Sequence, residues 1–170
     1  INYLNGNKEL ALFIFYIILI ITVFLKYNFP KASVFLGDSG SYFLGSLTAV
    51  SVIKTSIANP TISPFYFCIL LFYLFFEVFF SFIRKVIIEK KSPLFPDQKH
   101  LHMLIYKLFL KKNKSRFKSN YQVAIIINLT YFLMTIPAFF MMSNGIFCKY
   151  YSILFFIIYL IVYKKVNEKL

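Results

Sequence analysis

Along the chain, apolar residues gather into five stretches without charge, at 10–25, 41–53, 63–83, 121–142 and 150–163, the third interrupted only by Glu77. Runs of this length read as membrane-spanning helices. The second and fifth fall short of the roughly 20 residues that a perpendicular span needs, so they are expected to recruit Lys54 and Lys164 as snorkelling ends. The pattern predicts an all-α fold, a polytopic integral membrane helical bundle with about five transmembrane helices, and a single membrane domain over 1–170.

Composition agrees with the pattern. Of 170 residues, 59% are hydrophobic and 15% charged, against about a quarter charged in a soluble domain. The 19 Lys and Arg against 6 Asp and Glu give a net charge of +13, which in a soluble protein points to nucleic acid. Nucleic-acid binding is excluded here because the aromatics lie in the apolar stretches and are not interleaved with the bases. Five spans put Lys26, Lys31, the eleven basic residues from Arg84 to Lys118, Lys164, Lys165 and Lys169 on one side of the bilayer. Lys8, Lys54 and Lys149 fall on the other. The positive-inside rule then sets the start of the chain outside and the C-terminus in the cytoplasm. Cytoplasmic segments follow at 26–40 and 84–120, and the site is expected there. Cys68 and Cys148 form no disulfide framework. Residues 1–9 lack the basic start and cleavage pattern of a signal peptide, and a chain opening on Ile1 is expected to be a piece of a longer protein.

Candidate chemistry sits in two places. Val34-Phe35-Leu36-Gly37-Asp38-Ser39-Gly40-Ser41 sets a carboxylate between glycines where the second helix starts. Asp38 or Ser39 can cap that helix and complement its dipole. The same geometry also suits a phosphate approaching free amides, with one carboxylate holding the Mg²⁺ that bridges a nucleotide diphosphate. The second place is Lys90-Lys91-Ser92-Pro93-Leu94-Phe95-Pro96-Asp97-Gln98-Lys99-His100-Leu101-His102. Its two prolines forbid a regular helix. His100 and His102, two apart, converge only if the backbone is extended there, which disfavours a zinc pair at i, i+4. Lys99, His100 and His102 read as donors for an anionic ligand, or as part of a solvated basic loop near headgroups. Glu77 lies six residues, about 9 Å, inside its span and should face the bundle interior, paired with Arg84 or touching substrate. The basic run 107–118 reads as a stretch lying on the membrane surface.

These residues, in this order and on these sides, resemble the polyprenyl-phosphate N-acetylhexosamine-1-phosphate transferase family, glycosyltransferase family 4. Asn28-Phe29-Pro30, then Val34 to Ser41 and Phe43-Leu44-Gly45, are similar to the family's N-F-P and F-x-G-D-x-G-S-x-x-L-G segment. Glu77, Arg84, Ser92-Pro93, Pro96-Asp97 and His100-Leu101-His102 are similar to its stretch ending S-P-F-x-P-D-x-x-H-x-H-H, with Met103 replacing the last histidine. Two motifs in the right order some sixty residues apart are far more specific than either alone. The resemblance covers roughly residues 5–118, and beyond that only the hydropathy pattern.

The resemblance implies the C-terminal half of a transferase of about ten spans, without the family's earlier Asp-Asp motif. The implied reaction moves N-acetylhexosamine 1-phosphate from a UDP-N-acetylhexosamine to undecaprenyl phosphate at the cytoplasmic face of a bacterial inner membrane, initiating envelope glycan synthesis. The H-x-H form is that of the O-antigen and teichoic-acid branch. Asp38, His100 and His102 are the implied catalytic residues, with Asp38 holding Mg²⁺, or Mn²⁺ in its place. Gly37, Ser39, Gly40, Arg84, Asp97 and Lys99 are the implied substrate-binding residues. Partners are the nucleotide sugar, the lipid phosphate, the bilayer and a second copy in a homodimer. The competing readings are a transporter or channel half with Glu77 in an ion path, and a noncatalytic remnant.

Overall fold

A computed structural model describes residues 1–170 except Leu4 and Leu94. Leu94, part of the proline-containing motif, therefore lies outside the described residues. Among them the chain is all helical and forms two compact units, 1–64 and 65–170.

In the first unit α1 (Lys8–Asn28) and α2 (Gly37–Ala58) are joined by a loop that carries Asn28-Phe29-Pro30. The Asn28 side-chain amide donates to the Val34 carbonyl across this loop (2.8 Å). No residue of α1 is buried, as an apolar helix requires lipid or another helix around it. Near the start of the chain Asn2 donates to Thr55 (2.9 Å) and Asn59 donates to Asn2 (2.8 Å), which ties the first residues to the end of α2. Lys54, expected to snorkel, places its ammonium 6.0 Å from the Phe13 ring centroid.

The second unit begins with a broken helix, α3 (Pro64–Leu70) and α4 (Phe72–Ile83), bent by 75° at Leu71. Beside the break the Tyr131 hydroxyl donates to the Ile69 carbonyl (2.6 Å). A π-helical turn, Arg84–Ile88, extends α4. After an irregular segment come α5 (Leu101–Asn113), α6 (Arg116–Phe140) and α7 (Gly145–Glu168). Ser115 accepts from the Lys118 amide and Asn144 from the Phe147 amide, so side-chain oxygens cap α6 and α7. Helices α4 and α7 interlock through edge-to-face rings: Phe76 with Tyr159 at 4.8 Å and Phe80 with Tyr163 at 4.7 Å between centroids. Leu101 and Leu104 of α5 complete that core. Aromatic pairs of this geometry contribute roughly 0.5–1.5 kcal/mol each beyond their burial.

All five expected stretches fall on helix. By length and composition, among the described residues, three helices suffice to cross a membrane, α1, α6 and α7, and a fourth if the bent α3–α4 pair counts as one span, in keeping with a polytopic helical bundle. The 22 residues of α2 are long enough, but its Ser, Thr and Gly residues, with Asp38 and Lys54, dilute its apolar character. The chain is a multi-pass membrane protein.

Candidate active site

In the first unit Asp38 occupies the first turn of α2 and is exposed. The cap position is held by Leu36, whose side chain makes no capping bond, so Asp38 does not cap the helix in the way that sequence alone allows. Glycine at 37 is required by geometry, since its φ of +68° is a conformation other residues adopt only under strain. Gly40 is needed for space: a Cβ there would lie 2.7 Å from Leu36 Cγ. Ser41 donates to the Gly37 carbonyl (2.8 Å), and Ser39 is exposed. Among the described residues the Asp38 carboxylate has no protein partner in a hydrogen bond or ion pair, and no three Asp, Glu, His or Cys side chains gather as a metal cage. A single exposed carboxylate at a helix start still fits Mg²⁺, which typically takes one or two carboxylates and completes its shell with water and substrate phosphates.

The second unit holds a buried polar network. Glu77, 7% exposed on α4, receives three donors: the Leu101 amide (2.7 Å), His100 Nδ1 (3.1 Å) and the Tyr159 hydroxyl (2.6 Å). It faces inward as expected, but its partner is not Arg84. Arg84, 5% exposed, donates instead to Glu89 and to Asp97. Asp97 also accepts from the Ser81 hydroxyl and from the Lys99 amide (2.9 Å). Glu89 accepts from Lys99 Nζ (2.8 Å). The buried Lys85 ammonium donates to the carbonyls of Pro93 and Phe95, fastening the proline segment to the π-helical turn. Burial pushes the Asp97 carboxyl up, but Ser81, the Lys99 amide, Arg84 and His100 together outweigh it and hold the group below its usual range. Glu89 is likewise held low, first by the hydrogen bond from Lys99 and then by Arg84.

His100 is the cap residue of α5, with extended backbone at φ −64° and ψ 146°. His102 lies within the first turn, and the two rings stack at 5.6 Å. The histidines thus converge, but at a helix start and not along a strand. Partial desolvation, with His100 beside it, holds the His102 imidazole below its usual value. Between the end of the π-helical turn and the proline-containing segment lies an open cleft of about 650 Å³ bordered by Lys90, Lys91, Phe95 and Lys99.

The structure therefore divides the expected site residues. Asp38, Gly37, Ser39 and Gly40 stand together at one helix start in the first unit, while His100, His102, Asp97, Lys99 and Arg84 cluster in the second. Arg84 and Asp97 are engaged by protein partners, although Arg84 Nε is buried without a hydrogen bond among the described residues, whereas Lys99 and His102 keep exposed surface. Sequence reasoning missed Tyr159, Ser81 and Glu89. Tyr159 and Ser81 lie in apolar stretches that give no sign of a polar partner elsewhere.

Residues 1–56 match the model of glycosyl transferase family 4. Over 98% of its length the chain is 30% identical to a Bacillus subtilis protein named as a probable undecaprenyl-phosphate N-acetylglucosaminyl 1-phosphate transferase. The similarity of the chain lies with glycosyl transferase family 4. It is also 40% identical, over 82 residues and 46% of its length, to a Thermotoga maritima protein named undecaprenyl-phosphate alpha-N-acetylglucosaminyl 1-phosphate transferase. These matches take in 46% of the Bacillus protein and 25% of the Thermotoga protein, so the chain spans less than half the length of either. No solved structure matches it.

Proposed function

We propose that this chain forms part of an enzyme that transfers N-acetylglucosamine 1-phosphate from UDP-N-acetylglucosamine to undecaprenyl phosphate and releases UMP, at the cytoplasmic face of a bacterial inner membrane. The observation that carries the reading is Asp38: an exposed carboxylate without a protein partner, in the first turn of α2, inside the segment that matches the family. Phosphoryl transfer asks for positioning and charge neutralisation more than for covalent help. Asp38 would hold Mg²⁺, or Mn²⁺ in its place, and the metal would supply charge neutralisation at the diphosphate. Open space where a side chain would stand at Gly37 lets a phosphate approach the helix start, where free amides and the dipole favour anions. His100 and His102 act on the diphosphate or the sugar, with Lys99 at the rim of the cleft. The acceptor phosphate reaches this level because its polyprenyl tail stays in the bilayer. The ion-path reading of Glu77 is not favoured, because three protein donors already satisfy that carboxylate.

The test is UMP release by membranes containing the natural protein, supplied with both substrates. Asp38→Asn should abolish release while insertion and yield stay normal, since an amide is a poor Mg²⁺ ligand. Retention of most of the activity at limiting Mg²⁺ contradicts the assignment. Orientation is tested with Cys68 and Cys148 replaced by Ser and single cysteines placed at exposed positions. Lys112→Cys should react only after permeabilisation and Ser143→Cys in intact cells, and the reverse pattern contradicts a cytoplasmic C-terminus. Native Cys148 is buried and cannot serve as that reporter.

A further inference from the structure

We propose that Glu77 is the positioning residue for His100: held by Tyr159 and the first amide of α5, it fixes the imidazole with the proton on Nδ1 and leaves Nε2 for the nucleotide sugar. An ionised carboxylate only accepts hydrogen bonds. Of its two oxygens, Oε2 takes the Tyr159 hydroxyl (2.6 Å) and Oε1 takes the Leu101 amide (2.7 Å), so the group is anchored to α7 and to the start of α5. His100 Nδ1, 3.1 Å from Oε1, can join this arrangement only as a donor. The hydrogen bond at one ring nitrogen decides what the other presents. Nε2 lies 3.7 Å from Asp97 Oδ2, outside hydrogen-bond range. Among the described residues it makes no hydrogen bond, and the side chain keeps 25% of its surface exposed. Nε2 is thus the functional atom of the ring, an acceptor when the imidazole is neutral and a donor when it is charged. Glu77 itself is buried, with its carboxylate taken up by protein donors, and acts through His100.

The inference rests on the transferase reading for its consequence, but its geometry is tested separately. The chain contains two histidines, so nitrogen NMR of histidine-labelled protein in bilayers reads both rings, and loss of one signal in His100→Gln assigns them. At about pH 9, well above the usual histidine range, the wild-type protein should show His100 protonated at Nδ1. In Glu77→Met, which nearly preserves volume but has no acceptor, that signature should be lost and kcat for UMP release should fall about tenfold. Glu77→Gln retains an acceptor oxygen, so it should keep the Nδ1 proton and stay within about threefold of wild-type kcat. A wild-type His100 unprotonated at Nδ1, or a Glu77→Met ring unchanged from wild type, overturns the inference whatever the activity. The wild-type spectrum decides even if Glu77→Met fails to insert. Full activity in His100→Ala, with the ring signature as expected, would count against the transferase role of His100 and leave the contact standing.

Discussion

Asp38 and Asp97 are both short carboxylates in segments where glycine or proline interrupts regular structure, yet they live in opposite surroundings. Asp38 is exposed and has no protein partner among the described residues. The Asp97 side chain is 7% exposed and gathers Ser81, Arg84 and the Lys99 amide around it. An acid that protein donors already surround holds the segment's shape, whereas an acid without donors is available to a ligand. The same contrast separates Arg84, enclosed between two carboxylates, from Lys99, whose side chain is 53% exposed. Both kinds of residue belong to motifs that look alike on paper.

The strongest way to break this contrast is to remove Arg84. Arg84→Ala leaves Glu89 and Asp97 without their shared cation, and breaking a buried pair typically costs about 3–5 kcal/mol. Thermal unfolding in detergent should show a large loss for Arg84→Ala and none for Asp38→Ala; equal melting temperatures would erase the distinction. Next in size are the histidines. His100→Ala or His102→Ala should lower kcat/KM about thirtyfold, roughly 2 kcal/mol, while Lys111→Ala and Lys114→Ala cost far less. Equal losses for all four, all suppressed by salt, would instead describe a loop that merely binds headgroups. Met103→His should change activity only modestly. Smaller again, Tyr159→Phe removes one donor from buried Glu77 and should cost about 1–2 kcal/mol of stability. An unchanged melting temperature would show the hydroxyl to be dispensable.

The smallest effect is with pH. Asp97 and Glu89 are held below their ordinary ranges, so the stability they contribute is fully present above their unfolded values. It is lost as pH falls through their folded values, which places the loss below about pH 4. Melting temperature against pH should show this acid arm, and Asp97→Asn should flatten it. An arm of the same depth in that variant would assign it to other groups.

Much of this was legible in the sequence, because hydrophobic periodicity and proline act locally. All five apolar stretches are helical, Pro93 and Pro96 sit in irregular backbone, and Glu77 faces inward. What the sequence concealed depends on which helix lies beside which. Glu77 and Arg84, seven apart on successive helical turns, looked like a pair, but the π-helical turn and the returning segment 90–100 supply each with other partners. Tyr159 lies 82 residues from Glu77, inside an apolar helix, so no spacing rule connects them. The stretch at 41–53 lies within α2, whose 22 residues are long enough for a span although small polar residues are scattered along it. Asp38 was found as a candidate ligand because two glycines flank it, yet only the structure shows that Leu36, and not Asp38, holds the cap position.

The most direct test is a paired comparison of Asp38→Asn and Asp97→Asn in one membrane preparation of the natural protein, with UMP release and thermal unfolding measured on each. Asp38→Asn should lose activity with its unfolding curve superimposed on wild type. Asp97→Asn should unfold at a clearly lower temperature, because Arg84 then loses a charged partner in a buried site. An Asp38→Asn protein that still transfers sugar phosphate, or an Asp97→Asn protein as stable as wild type, would contradict the division between an open carboxylate that binds and an enclosed one that holds the fold.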